Sequence, residues 1–197
     1  MKKIPETKTL DDLVLHKKQG ASSFYLKEGT EPVKVIRHKA VTADGKLLLE
    51  EVDEEHIKKL ERTERNLLKT GDILVSLRLN FKVVLIPEEL NGATFTGDFI
   101  ALTVDQTKIH PELLKTYLNQ PAVIRYMEAQ AGGAIAKSYS KEALLRLPVT
   151  VPDKQTQDKL LAAVRKIEEH RKLAEQETAK LKELEEHLLL ETLGGSP

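Results

Sequence analysis

The sequence contains no cysteine and no tryptophan, and only 4% of its 197 residues are aromatic. The first absence excludes a disulfide framework, thiolate chemistry and cysteine-ligated metals. So few rings mean that any core is aliphatic, and 40% apolar residues are enough to build one. Net charge is missing as well. The 31 Lys and Arg residues balance the 31 Asp and Glu residues, so bulk charge predicts nothing about nucleic acid and any basic surface has to be local. No apolar run reaches membrane-spanning length. Met1-Lys2-Lys3 runs into Ile4-Pro5-Glu6-Thr7 rather than the apolar stretch of a secretion signal. These absences predict a soluble, cytoplasmic protein without a membrane partner.

Catalytic constellations are absent too. The histidines at 16, 38, 56, 110, 170 and 187 form no HExxH and no pair with helical ligand spacing, so no metal site is expected. Gly132-Gly133 lacks both the Lys-Ser/Thr of a phosphate loop and the spacing of a dinucleotide fingerprint, and no Gly-x-Ser-x-Gly occurs. Asp72 and Asp98 each follow a glycine and read as turn carboxylates rather than a catalytic pair. The expectation is a protein without catalysis or cofactor.

What the sequence does have is a long helical run from Thr156 to Leu193. Leu160, Ile167, Ala174, Leu181 and Leu188 recur every seven residues, with Ala163 and Leu184 at the complementary positions. No Pro or Gly interrupts it, and Glu, Lys, Leu, Ala and Gln dominate. At about 1.5 Å per residue it extends to roughly 55 Å, more than the core of so short a chain requires. It is either a terminal helix folded back on its own domain or a spacer and dimerisation rod. His170 and Glu177 make the centre of the seam polar.

The preceding residues read as strands early and helices late, without βαβ alternation, which predicts an α+β domain. Thr9 to Leu15 opens a short helix or strand, and Gly20 to Gly29 reads as a loop. Val33 to Ile36 is a strand. After the Asp44-Gly45 turn, Leu47 to Val52 is expected to pair back as a hairpin, and Glu54 to Leu60 to form a helical turn. Ile73 to Ser76, Phe81 to Ile86 and Phe99 to Val104 are further strands. Pro111 and Pro121 each sit at a first helical position. Gln130 to Lys137 reads as a flexible stretch, Ser140 caps a short helix, and Leu147 to Pro152 is an edge strand. Domain boundaries follow at 1–152 for the globular part, 153–193 for the helix and 194–197 for a tail.

Local clusters suit DNA. Arg37, His38 and Lys39 follow a strand. Arg78, Asn80 and Lys82 lie in a loop, and Lys137, Ser138 and Tyr139 adjoin the Gly132-Gly133 stretch. Arg, Lys and Asn are the usual major-groove readers, while hydroxyls and backbone N–H groups suit phosphates. Taken singly, each cluster reads better as solvated loop charge.

Leu68-Lys69-Thr70-Gly71-Asp72-Ile73-Leu74-Val75-Ser76 resembles a segment in the target-recognition domain of the specificity (S) subunits of type I restriction-modification systems. Ile109 to Leu114 with Tyr117-Leu118 resembles the family's "i-x-P-x-y-L" helix. Ser140, Leu144 to Val149 and Pro152 to Gln157 resemble its closing segment. Two details depart from the pattern: Gln155 or Gln157 replaces the signature Gln, and Ser138-Tyr139-Ser140 replaces a commoner Asn-Ile-Ser-like stretch. A usual S subunit has two recognition domains and two helices, so this chain resembles a half-size one. The resemblance implies a non-catalytic DNA-recognition module. It further implies a homodimer with antiparallel helices joined through Leu160, Ile167, Ala174, Leu181, Leu184 and Leu188, which reads a palindromic bipartite site. The implied partners are double-stranded DNA, a DNA adenine methyltransferase (M) subunit that uses S-adenosylmethionine, and an ATP-dependent restriction (R) subunit. The competing reading is a coiled-coil interaction adaptor that never touches DNA.

Overall fold

The computed structural model describes residues 6–20, 31–42, 44–57, 66–132 and 137–193. It divides into two compact units, Met1–Asp153 and Lys154–Pro197.

The first unit is built on a four-stranded antiparallel sheet. Its strands are β2 (Val14–Gln19), β5 (Ile73–Ser76), β6 (Val83–Leu85) and β8 (Phe99–Val104), in the order β2-β8-β5-β6. The two inner strands are apolar on both faces, so period-two alternation sends successive side chains into two different cores. Ile73 and Val75 of β5 with Ile100 and Leu102 of β8 enter the first core. Helices α1 (Pro111–Leu118), α2 (Pro121–Ala129) and α3 (Lys141–Leu145) cover it through Leu114, Leu118, Val123, Met127 and Leu144. Leu74, Phe99 and Ala101 point the other way, into a second core with Ile36, Phe95 and Leu90. There a small sheet lies in the order β4-β3-β7, from β3 (Glu31–Ile36), β4 (Asp53–Ile57) and β7 (Thr94–Phe95). A third sheet pairs β1 (Glu6–Thr9) with β9 (Pro148–Val151), which joins the two ends of the unit.

Most sequence expectations have a structural counterpart. Pro111 and Pro121 open α1 and α2, and Ser140 Oγ accepts the Ala143 N–H to cap α3. The architecture is α+β, ending in the 40-residue helix α4 (Lys154–Leu193). The hairpin is different. Gly45 adopts φ +75° and the Asp44-Gly45 turn forms, but Leu47 makes only one bridge, to Val41. A single 3-10 turn follows at Leu49–Glu51, and the strand that pairs with β3 is β4, where a helical turn had been expected. Side-chain charge decides this: Asp53 and Glu55 lie on one face of β4 and ion-pair with Arg37 just beyond β3. The loop expected at 20–29 lies outside the described residues except for Gly20, as do residues 133–136 of the stretch at 130–137 and the tail 194–197.

Among the described residues one ion pair is buried on both sides. Lys18 of β2 and Asp72, at the foot of β5, are 4% and 1% exposed and form an ion pair. Lys18 also donates to the Leu67 carbonyl (2.9 Å). Asp72 accepts from the Lys69 N–H (2.8 Å) and from Thr103 Oγ1 of β8 (2.7 Å). Gly71, at φ +84°, makes the turn that aims the carboxylate inward. Asp72 is therefore a turn carboxylate and half of a buried pair. Asp72→Ala leaves a buried ammonium without its counter-charge and is expected to destabilise the unit by about 3–5 kcal/mol in chemical denaturation. Lys18→Met with Asp72→Leu is expected to recover much of that loss. Equal stability of the single and double variants would show that the pair is not the anchor.

Candidate nucleic-acid interface

Strand β5 leaves the sheet at Ser76, and the chain turns over Leu77 to Phe81 before β6. Backbone hydrogen bonds hold this turn on three sides. Leu77 N–H donates to the Asp98 carbonyl (2.7 Å), Ser76 N–H to the Lys82 carbonyl (2.9 Å), and Leu79 N–H to the Lys137 carbonyl (2.9 Å). In return Tyr139 N–H donates to the Leu77 carbonyl (2.8 Å), and Arg78 and Ser138 form an antiparallel bridge. Two segments nearly sixty residues apart in sequence thus become neighbours.

Ser76 brings in the third. Its hydroxyl is fully buried, donates to the Arg78 carbonyl (2.7 Å) and meets His38 Nε2 at 2.9 Å. One hydroxyl proton cannot serve both, so the imidazole donates through Nε2–H. Burial, and then the Lys82 ammonium, hold His38 below the ordinary histidine value and keep it neutral. Its ring rests against Phe99, with centroids 5.1 Å apart. Ser76 thus ties His38, with Arg37 and Lys39 beside it in sequence, to the turn that carries Arg78 and Asn80, and the Arg78–Ser138 bridge joins that turn to Lys137 and Ser138.

Two residues named with them belong to the interior. Lys82 is 8% exposed and donates its ammonium to the Val41 carbonyl, and burial lowers its pKa. Tyr139 is buried edge-on to Phe81, with centroids 5.5 Å apart, and its hydroxyl donates to the Leu79 carbonyl (3.4 Å). The expectation that these two face outward is corrected. Lys82 lies next to β6, where its aliphatic stem is drawn into the sheet, and Tyr139 fills the space under the turn.

The cations at the rim all have carboxylate partners. Arg37 pairs with Asp53 (2.9 Å) and with Glu55, which raises its pKa through the Glu55 hydrogen bond. Lys39 pairs with Asp53 (2.5 Å) and Glu51 (3.8 Å). The Lys39 hydrogen bond holds Asp53 below the usual carboxylate range. Arg78 lies 3.6 Å from Asp98, and Lys137 lies 3.4 Å from Glu128. The Arg78 and Lys137 pairs are exposed on both sides and are worth about 0–1 kcal/mol, so an arriving phosphate can displace their carboxylates at little cost. Arg78, with 66% of its side chain exposed, is the freest; Arg37 is held most firmly. The acidic run of β4 and the role of Ser76 were not foreseen. Asp53-Glu54-Glu55, two residues from Glu50-Glu51, was the available signal.

No group of three or more His, Asp or Glu residues among the described residues is placed to hold a metal ion. No helix among them is long and apolar enough to cross a membrane. In α4 the stripe residues Leu160, Ile167, Leu181, Leu184 and Leu188 are 45–61% exposed, and Ala174 is exposed between them.

No protein-family model and no curated protein matches the sequence. Solved structures do. One is a chain from a structure of complex assembly and conformational transition in the type I R-M system, with a TM-score of 0.71 at 14% identity. The match covers 97% of this chain and 50% of that one. Another is the HsdS subunit from Thermoanaerobacter tengcongensis, with a TM-score of 0.67 at 14% identity, over 93% of this chain and 47% of that one. The chain spans about half the length of both. Its fold, a mixed α/β domain followed by a long helix, is that of one half of a type I restriction-modification S subunit.

Proposed function

We propose that the chain is a DNA-specificity module of a type I restriction-modification complex, with Met1–Asp153 reading bases and α4 pairing with a second copy. The observation that carries the reading is the convergence of Arg78, Asn80, Lys137 and Ser138 on one rigid turn, in a fold shared with S subunits. Arg and Asn read base edges, while Lys and Ser suit phosphates. Arg37, His38 and Lys39 flank that turn. Methylation and cleavage belong to partner M and R subunits; this chain supplies the address.

The pairing argument rests on α4. Its stripe is exposed, and its charge is polarised along the axis. From 154 to 172, Lys154, Lys159, Arg165, Lys166, Arg171 and Lys172 face Asp158, Glu168 and Glu169. From 173 on, Glu175, Glu177, Glu183, Glu185, Glu186 and Glu191 outnumber Lys180 and Lys182. Antiparallel pairing sets the basic half on the acidic half, and parallel pairing sets like on like. A fully overlapped antiparallel pair centres on Ala174, with Leu160 beside the other copy's Leu188 and Ile167 beside its Leu181. The adaptor reading keeps one observation in its favour: the carboxylate partners of Arg37 and Lys39 leave that flank without net positive charge.

Three outcomes follow. Each buried Leu contributes about 1.5–3 kcal/mol, so Leu181→Asp with Leu188→Asp converts a dimer to monomer in light scattering; a wild-type monomer at tens of micromolar removes the pairing. Arg78→Ala costs about 1–3 kcal/mol of binding and relaxes one base, whereas Lys137→Ala weakens all sequences alike. Unchanged modification and preference in the double variant favours the adaptor. Finally, methylome sequencing is expected to show two identical half-sites in inverted orientation, because a two-fold dimer presents one reader twice. A heptad inserted between Lys172 and Lys180 keeps the stripe in phase and lengthens the rod by about 10 Å. At about 3.4 Å per base pair this widens the unread spacer by up to roughly three. An asymmetric wild-type motif refutes the homodimer, and an unaltered spacer in an active variant refutes the ruler.

A further inference from the structure

Leu79, at the tip of the β5–β6 turn, has backbone and side chain at odds with any role in the fold. It is the non-glycine residue with positive φ, at +64°, among the described residues. In that region a side chain carrying Cβ crowds the following carbonyl, and Gly or Asn is the usual occupant. The conformation is fixed from outside: Leu79 N–H donates to the Lys137 carbonyl, the Tyr139 hydroxyl donates to the Leu79 carbonyl, and Ser76 Oγ holds the Arg78 carbonyl beside it. The isobutyl group gains little core burial in return. It is 50% exposed and belongs to neither hydrophobic core. A strained, rigidly held and wet leucine at a turn where glycine is free of strain answers a demand outside the fold.

Its neighbours indicate what that demand is. Arg78 and Asn80 are exposed on either side of it, and Ser138 lies across the bridge from Arg78. A protein partner would be met by a contiguous apolar patch, whereas among the described residues of this turn and its bridge one apolar group stands among hydrogen-bonding ones. The floor of the major groove has that pattern: the thymine C5-methyl is its one apolar feature among base-edge donors and acceptors. The geometry points to Leu79 as a specificity-determining side chain that contacts a thymine methyl in the major groove, between bases read by Arg78 and Asn80. This rests on the DNA-binding reading and assigns that site an apolar contact.

The test uses the full chain and duplexes selected from a random pool. Each thymine of the selected site is replaced in turn by deoxyuridine, which removes only the methyl. Wild type is expected to lose about fourfold in affinity at one thymine per half-site, the loss for one buried methyl. Leu79→Gly, which suits the backbone, is expected to bind the thymine duplex more weakly and to be indifferent to the replacement, with a melting temperature no lower than wild type. Wild-type indifference to uracil at every position overturns the Leu79 contact while DNA binding stands. So does persistent discrimination in Leu79→Gly, or a melting temperature lowered by several degrees, which would give the side chain to the fold. Failure to enrich any duplex overturns the DNA reading and this contact with it.

Discussion

The buried contact between Lys18 and Asp72 is the constraint from which the geometry of the turn descends. An ammonium and a carboxylate removed from water tolerate little displacement, because a lost partner leaves a bare charge in a low dielectric. Asp72 is the residue before β5 and is bound at once to β2, to β8 through Thr103 and to the turn before it. That fixes where β5 starts. Because side chains alternate strictly along a strand, it also fixes which face each β5 residue takes and that Ser76 arrives buried at the far end. Ser76 then sets the Arg78 carbonyl and His38. A charge pair at one end of a four-residue strand thus governs the turn at the other.

Much of this was legible in the sequence. The proline-opened helices, the Ser140 cap and the apolar strands rest on local chemistry that acts wherever it occurs. The Gly71-Asp72 step was legible as a turn and as part of a family-like motif, but not as a buried pair, since Lys18 lies over fifty residues away and looks like any other lysine. The same holds for Lys82, whose stem is long enough to hide a charge that composition counts as exposed. Strand β4 was misread because a charged run reads as helical or solvated unless its counter-charges are known, and these lie across the sheet at Arg37 and Lys39. Local propensity reveals elements; long-range pairing decides which of their charges remain available.

That pairing changes what the interface can do. A net-positive face binds any duplex through released counterions, with little regard to sequence. In the proposed DNA-binding role the rim cations already hold carboxylates, so the nonspecific part of the attraction is muted and each phosphate contact is an exchange of partners. What remains undiminished is geometry: Arg78, Leu79 and Asn80 on a turn fastened by backbone hydrogen bonds. As the proposed reader, such a surface would lose affinity for arbitrary DNA faster than for a duplex that fits, which raises discrimination at the expense of strength.

A single module of this kind is a weak binder, and the proposed homodimer compensates for that. Once one copy of the reader is seated, the second is confined to the neighbouring stretch of duplex at an effective concentration set by a stiff rod. A rigid connection makes the gain steep: it is large when the half-sites lie at the spacing and rotation the helices dictate, and is lost when they do not. In that homodimer the rod would therefore add affinity only at correctly spaced sites. In the proposed homodimer the charge polarity of α4 serves the same end, because it favours the orientation that would carry the two readers to opposite ends of the rod. Muted charge on the reader and polarised charge on the helix are in this sense complementary: the first limits binding to wrong sequences, and the second restores it at right ones.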